Sequence, residues 1–460
     1  MFKKLIGTKE FYKTVFFLTI PIMIQNGITN LVNMLDNIMV GQVGTLQMSG
    51  VSITNQLIFV FNLMIFGVIS GAGIFGAQFY GNGDHDGVRN TFRFKLILCT
   101  VLTALGIAVF LLADDFLIGL YLKGDATATE AADTLEYAKT YLRVMLIGIF
   151  PYSIAQCYAS TLRETGKTIP PMVASTCAVF INLAFNYILI FGHFGAPALG
   201  VKGAAIATVI SRFVELAIVA VYSYVTREKN EFIKGAFRSL KVPSALVKQI
   251  IIKGMPLMLN ETLWATGIAL LNQCYTLRGI QVVAAANISQ TFWNVFSVAF
   301  ISIGSTVGIM IGQLLGAGEF DKAREQSRQL IAFSIFVAFI VGIVYFFAAE
   351  FIPSFYNTSD DIRLLATRMM QITACSMPLD AFAHASYFTM RSGGKVILTF
   401  IFDCGFVWAI NIPVVLAITY LTSLPILAVF AISHSLYIIK AFLGFYFVKR
   451  GDWIKNIVEV

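Results

Sequence analysis

The feature that most limits what this chain can become is a succession of twelve apolar segments, each near the length of a bilayer crossing. They lie approximately at 14–40, 50–79, 94–113, 137–160, 169–191, 202–225, 250–275, 283–315, 330–349, 365–390, 396–420 and 425–448. At about 1.5 Å per helical residue, some 20 apolar residues cross a hydrocarbon core about 30 Å thick. Inside that core every backbone N–H and C=O must be satisfied by the protein itself, so segments of this length are read as helices. The second and eighth are long enough to tilt or to run past the bilayer. Composition agrees, with 57% hydrophobic and 13% charged residues, where a soluble domain carries about 25% charged. The expected fold is an all-α membrane protein of twelve transmembrane helices.

Charge sets the orientation. Lys3, Lys4, Lys9 and Lys13 precede the first segment, Arg89, Arg93 and Lys95 follow the second, and Arg163 and Lys167 follow the fourth. Later even-numbered exits carry Arg227, Lys229, Lys234, Arg238, Lys241 and Lys248, then Lys322, Arg324 and Arg328, then Arg391 and Lys395, then Lys449, Arg450 and Lys455. The opposite loops hold chiefly Lys123, Lys202, Arg278 and Arg363. By the positive-inside rule both termini are cytoplasmic, in the inner membrane, and the net charge of +8 reflects orientation rather than nucleic-acid binding. The six cysteines, Cys99, Cys157, Cys177, Cys274, Cys375 and Cys404, all fall in apolar segments and read as small core residues. The basic start before an apolar run resembles a signal peptide, but Gln25, Asn26 and Asp36 follow without a cleavage pattern, so it reads as a retained first span.

An internal repeat divides the chain. Pro21 and Pro256 are 235 positions apart, as are Gln78 and Gln313, Gly81 and Gly316, Asp86 and Asp321, and Arg89 and Arg324. Further on, LRETGK at 162–167 parallels MRSGGK at 390–395, and Asn182 parallels Asn411, at an interval near 228. Six spans per half implies two bundles of like topology, related by an axis along the membrane normal. The expected division is a lobe at 1–225, a basic, partly amphipathic linker at 226–249 with Phe232, Ile233, Phe237 and Leu240, a second lobe at 250–448 and a tail at 449–460.

The intramembrane acids do not follow the repeat. Asp36 falls opposite Leu271, Glu261 opposite Asn26, and Asp380 near Tyr152. A charge at mid-bilayer costs on the order of 2.5 to 3.5 kcal/mol even on lenient scales. A joint that merely held helices together would be expected in both halves, so the asymmetry points to a task; the alternative for each acid is an interhelical hydrogen bond or ion pair. An acid in a pocket that alternates between wet and dry can exchange a proton. With oxygen ligands nearby it can bind Na⁺ instead, and Asn182 and Asn186, one turn apart, with Thr208 on the next span, supply such oxygens. Arg212 and Glu215, three apart on one helix, read as a mutually neutralising pair. Lys440 has no acid at helical spacing; Asp403, His384 and His434 are also intramembrane.

Taken together, these residues resemble the multidrug and toxic compound extrusion (MATE) family over nearly the whole chain. The resemblance rests on P-x14-D-N-I-M-V-G-x-x-G at 21–44, the glycine-rich run from Gly67 to Gly81, the LRETGK and MRSGGK turns, NLAFNYILIFG at 182–192 and GAAIATVISR at 203–212. It implies two six-helix bundles about a V-shaped cleft and a cofactor-free exchange of Na⁺ or H⁺ for lipophilic, often cationic compounds. The family's first-span acid corresponds to Asp36 and its paired fifth-span positions to Asn182 and Asn186. Asn186 stands where some members have Asp, and Glu261 stands five residues after Pro256, earlier than the acid of the NorM-type branch.

The leading expectation is therefore a monomeric ion-coupled antiporter for small amphipathic or cationic substrates. Its ion-coupling residues are Asp36, Asn182, Asn186, Thr208, Glu261 and Asp380, with the three acids as candidate Na⁺ ligands. Gln56, Met258, Phe292 and Trp293 are the candidate substrate contacts. A flippase for a lipid-linked precursor, of related architecture, is the second reading; the acidic lean of the intramembrane groups favours the first. An enzyme is disfavoured, since no HExxH, GxSxG or Walker A pattern occurs.

Overall fold

The computed structural model describes residues 5–122, 128–277, 279–356 and 358–459, and among these there are helices and turns but no strand. Lys3, Lys4, Lys123 and Arg278, counted above among the orienting charges, lie outside them. The first half holds α1 (Lys9–Gly41), α2 (Thr45–Gly81), α3 (His85–Leu112), the short α4 (Asp114–Gly119), α5 (Ala128–Glu164), α6 (Ile169–Phe191) and α7 (Gly200–Val225). The second half begins with α8 (Ser244–Thr276), α9 (Ile280–Phe296), α10 (Val298–Gly316), α11 (Phe320–Ala348) and α12 (Asp360–Ser392). It ends with α13 (Val396–Phe400), α14 (Ile412–Leu421), α15 (Ile426–Ser435) and α16 (Tyr437–Arg450). Between α13 and α14 the chain is π-helical at Ile401–Gly405 and again at Val407–Asn411.

Ten spans among the described residues are long and apolar enough to cross a membrane on both counts. The other two crossings of the expected twelve are α8 and α12, each 33 residues long. They fall short in apolarity because they carry Lys253, Asn260 and Glu261, and Asp380, His384 and Arg391. The helices most polar inside the bilayer are thus the two that bear the second half's candidate acids.

The repeat holds at the level of helix ends. Lys9 and Ser244 open α1 and α8, and Gly41 and Thr276 close them, 235 positions apart in each case. Thr45–Gly81 has its counterpart at the same interval in Ile280–Gly316, but there the helix is broken at Ser297 into α9 and α10. Gly83 and Gly318, at the turns that follow, both take φ +74°, a left-handed conformation that favours glycine. Prolines sit inside α1, α5, α8 and α12 at Pro21, Pro151, Pro256 and Pro378. Each removes one rung of the helix ladder, which bends the helix and frees a carbonyl for a neighbour.

The chain falls into two compact units, one of Met1–Met23, Ala77–Gly83 and Ile252–Val460, the other of Ile24–Gly76 and Asp84–Ile251. Lipid is as apolar as leucine, so close packing and polar joints rather than water exclusion hold such bundles together. In the first unit Phe11, Val15, Leu18 and Ile22 of α1 pack with Val307, Ile311 and Leu315 of α10. In the second, Val40, Tyr141, Ile190 and Ala204 form a core between α1, α5, α6 and α7.

Two segments beyond the spans are tied down. The connector after α7 buries Phe232, Ile233 and Ala236 while Phe237 and Leu240 stay exposed. Arg93 donates to the carbonyls of Ala236 and Gly235 at 2.8 and 2.7 Å, and Arg89 to that of Glu231 at 3.2 Å. Lys167 donates to Asn230 Oδ1 at 2.6 Å. The tail after α16 buries Trp453 completely. Gln78 Nε2 donates to the Ser392 and Lys455 carbonyls at 2.8 and 3.2 Å, and its Oε1 accepts from Ile457 N at 2.8 Å. Gly81 and Gly316 let these helix ends meet: a Cβ on either would collide with the carbonyl of Gln313 or Gln78.

Candidate functional site

Within the unit of Ile24–Gly76 and Asp84–Ile251, four of the expected residues form one network. Asn186 Nδ2 donates to Asp36 Oδ1 at 2.6 Å, and Asn182, one turn earlier on α6, lies within 3.1 Å of Asn186. The Asn182 amide is satisfied when its nitrogen donates to Asp36 Oδ1 and Oδ2 at 2.9 and 3.0 Å and its oxygen accepts from Thr208 at 3.1 Å. Asn182 and Asn186 are buried, whereas Asp36 and Thr208 are half-buried. Tyr141 is also buried, in the core it forms with Val40, Ile190 and Ala204. The α-helical spacing of the two asparagines points both amides at one carboxylate. Asn186 Oδ1 is buried and accepts no hydrogen bond among the described residues. A carboxylate beside an unfilled carbonyl oxygen is a donor set that suits a hard cation.

Arg212 and Glu215 pair at 3.1 Å, as their spacing suggests, with the Arg212 guanidinium 4.8 Å from the centre of the Tyr152 ring. A second pair in this unit was not legible. Lys95, read above as an orienting loop charge, is fully buried and bonded to both oxygens of Glu164 at 2.6 Å, to Thr161 at 3.2 Å and to Ser160 at 3.3 Å. Gly73 and Gly76 leave the room for it: a Cβ on Gly73 would lie 2.8 Å from Glu164 Oε1, and one on Gly76 would strike Oε2.

In the other unit, Ser376, Asp380, His384, Tyr387 and Arg391 line one face of α12 at successive helical turns. Glu261 accepts from Tyr387 Oη at 3.3 Å. Tyr387 lies seven residues beyond Asp380, which is about 10 Å along the helix. Asp380 is half-buried one turn from Ser376, whose hydroxyl meets His434 Nδ1 at 2.9 Å. Lys440 finds its partner on another span: Asp403 Oδ1 at 2.6 Å, with the rings of Phe402, Phe406 and Tyr437 within 5.3 to 5.7 Å of its ammonium. Arg391, also read as an orienting charge, is buried, with its guanidinium 5.2 Å from the Phe388 ring centre.

Of the expected substrate contacts, Gln56 is exposed and Met258 half-buried. Phe292 and Trp293 pack partly on the core of Met369, Met370 and Phe406. Among the described residues no group of three or more His, Cys, Asp or Glu is placed to hold a metal ion.

Comparison with known proteins decides the family. The MatE family profile matches residues 21–188 and 256–417. The chain belongs to the MatE family. The two matched stretches begin at the repeat-related Pro21 and Pro256, so each copy of the repeat is recognised in its own right. Among its relatives, the probable multidrug resistance protein NorM of Thermotoga maritima is 26% identical, over 98% of this chain and 94% of that protein. The probable multidrug resistance protein YoeA of Bacillus subtilis is 25% identical, over 96% of this chain and 94% of that protein. A solved outward-facing conformation of a multidrug resistance MATE family transporter of the MOP superfamily superposes with a TM-score of 0.86 at 19% identity, covering 98% of each chain. The MatE chain described here is thus an all-helical integral membrane protein whose relatives are transporters, not enzymes.

Proposed function

We propose that this MatE protein is a secondary antiporter that exports small amphipathic, often cationic compounds in exchange for Na⁺ or H⁺ by alternating access. It works as a single chain in the inner membrane with both termini cytoplasmic. The full-length similarity to proteins named for multidrug resistance supports the class of cargo. The observation that carries ion coupling is the Asp36 network, where the buried Asn186 Oδ1 stands unfilled beside a carboxylate already held by two amides. A purely structural joint in a bilayer satisfies its own polar atoms, because each one left open costs about 1 to 3 kcal/mol. In this reading Asp36, Asn182, Asn186 and Thr208 take the ion in one unit and Glu261 and Asp380 serve the other, with Na⁺ or a proton as the exchanged species. Gln56, Met258, Phe292 and Trp293 are the proposed cargo contacts.

The test is efflux of a cationic dye from vesicles with Na⁺ and pH gradients imposed separately. At least one gradient drives efflux in the unaltered protein, and Asp36→Asn abolishes it, while the variant still inserts and folds. Gradient-driven efflux by Asp36→Asn at the unaltered rate overturns the mechanism. Preferential binding of a lipid-linked sugar over organic cations would move the protein to the flippase reading.

A further inference from the structure

The Lys440–Asp403 pair is used by nothing described so far. Both side chains are largely buried, at 7% and 17% exposure, inside spans. Asp403 lies in the first of the two π-helical stretches, Ile401–Gly405, and the matching span of the first half, α6, is regular α-helix throughout. Wide helical turns of this kind are costly and recur where a side chain must be re-aimed. Here the π-helical region grips one short piece of α8. Asp403 Oδ2 accepts from Asn260 Nδ2 at 3.0 Å, Cys404 Sγ donates to the Asn260 carbonyl at 3.1 Å, and Trp408 Nε1 donates to the Leu263 carbonyl at 3.0 Å. Glu261 sits inside that grip, next in sequence to Asn260.

The chemistry of the pair fixes which way Asn260 points. Lys440 donates to Asp403 Oδ1 and leaves Oδ2 to accept from Asn260, so the Asn260 amide presents its nitrogen to Asp403 and its oxygen to the other side. Tyr387 Oη stands 3.4 Å from the same nitrogen and donates to Glu261. Asn260 is 1% exposed, and its Oδ1 is buried with no donor among the described residues. An open carbonyl oxygen is therefore held on the residue before Glu261, in an amide linked to the Glu261 carboxylate through the one Tyr387 hydroxyl.

We infer that Asp403 and Lys440 are positioning residues: they orient Asn260 so that its carbonyl joins Glu261 in receiving the exchanged cation. The inference rests on the ion-coupled reading above and deepens it. Asp403→Asn removes the obligatory acceptor and lets the Asn260 amide turn over. Lys440→Gln leaves Asp403 without its counter-charge and loosens the same orientation.

The experiment measures dye efflux from vesicles against NaCl at fixed pH and against pH at fixed Na⁺, together with equilibrium ²²Na⁺ binding, or proton release on dye binding where the pH gradient drives. For Asp403→Asn the half-saturating concentration of the driving ion rises about tenfold or more, the size typical of outer partners of an ion ligand. Its half-saturating dye concentration and maximal rate stay within about twofold, and equilibrium ion binding weakens in parallel. The double variant Asp403→Asn with Lys440→Gln shows the same ion half-saturation as Asp403→Asn alone, because both act through one amide. A merely structural pair would instead lower the amount of folded protein and the maximal rate and leave ion half-saturation unmoved, and that result overturns the inference. Should neither gradient drive the unaltered protein, it is the ion-coupled reading that fails. If Asp403→Asn does not accumulate, the same titration on Asn260→Ala decides: unaltered ion half-saturation there overturns the inference, and a rise of about tenfold sustains it.

Discussion

Lys95 and Lys440, one in each unit, are buried inside spans and each meets an acid at 2.6 Å; the difference is in what surrounds the pair. Around Lys95 everything is closed. The ammonium reaches both oxygens of Glu164 and two hydroxyls, Ser160 also donates to the carboxylate, and glycines at 73 and 76 shape the space. Around Lys440 the network is open at one end, since Asp403 passes its influence to Asn260, whose oxygen has no donor. A closed polar network in a bilayer fixes helices, and an open one waits for something. The Asp36 cluster, with its own unfilled Asn186 oxygen, belongs with the second kind.

The sharpest way to break this contrast is Lys95→Met. Removing one partner of a sealed pair leaves a bare buried carboxylate, with a loss of about 3 to 5 kcal/mol and a lowered midpoint in thermal unfolding of the detergent-solubilised protein. Adding Glu164→Gln to it recovers most of that loss, and the double variant keeps the ion half-saturation of the unaltered protein. If the double variant instead loses ion dependence, Lys95 is no mere joint. Next is Gly76→Ala, whose methyl meets a Glu164 held in place by Lys95. It costs about 1 to 3 kcal/mol by overpacking, read in the same unfolding assay. Gln78→Ala comes third. It gives up three hydrogen bonds to the Ser392 turn and the tail, worth about 1 to 2 kcal/mol together, and speeds hydrogen exchange at Trp453 to Val458 with little effect on dye efflux at saturation. The smallest effect is at an exposed pair in the connector, where Lys234 beside Glu228 holds that carboxyl below the usual carboxylate range. An acid of this kind adds its stability above its unfolded pKa and loses it as pH falls through the folded one. Its full exposure makes the contribution slight, so Glu228→Gln gives no measurable shift in the midpoint at neutral pH.

Architecture was legible in the chain because a bilayer allows few backbones and because the repeat keeps one interval from Pro21 to Arg324. The Asp36 network was legible for a related reason: Asn182 and Asn186 share a helix face by spacing alone, and a lone carboxylate in an apolar run announces itself. The second unit was harder. Asp403 and Lys440 are 37 residues apart on different helices, so no periodicity links them, and the π-helical stretches leave no mark in a sequence of ordinary apolar residues. Lys95 and Arg391 misled for the opposite reason. A basic residue a few positions inside a span looks the same in sequence whether it reaches for headgroups or turns inward to an acid or a ring. The break at Ser297 within the eighth crossing also had no counterpart in the pattern, since Asn62 at the matching position lies in unbroken helix.

The grip of Gln78 on the tail ties an early residue to a very late one. Ile457 is synthesised 379 residues after the side chain that receives its amide, so the end of α2 lacks that partner while all of those residues are made. A polypeptide stopped at Arg450 would have all the spans described above and still lack the stretch of backbone that completes this corner. Reporter proteins grafted in place of the last ten residues would accordingly monitor an unfinished molecule, whereas the same reporters added after Val460 would leave the corner intact.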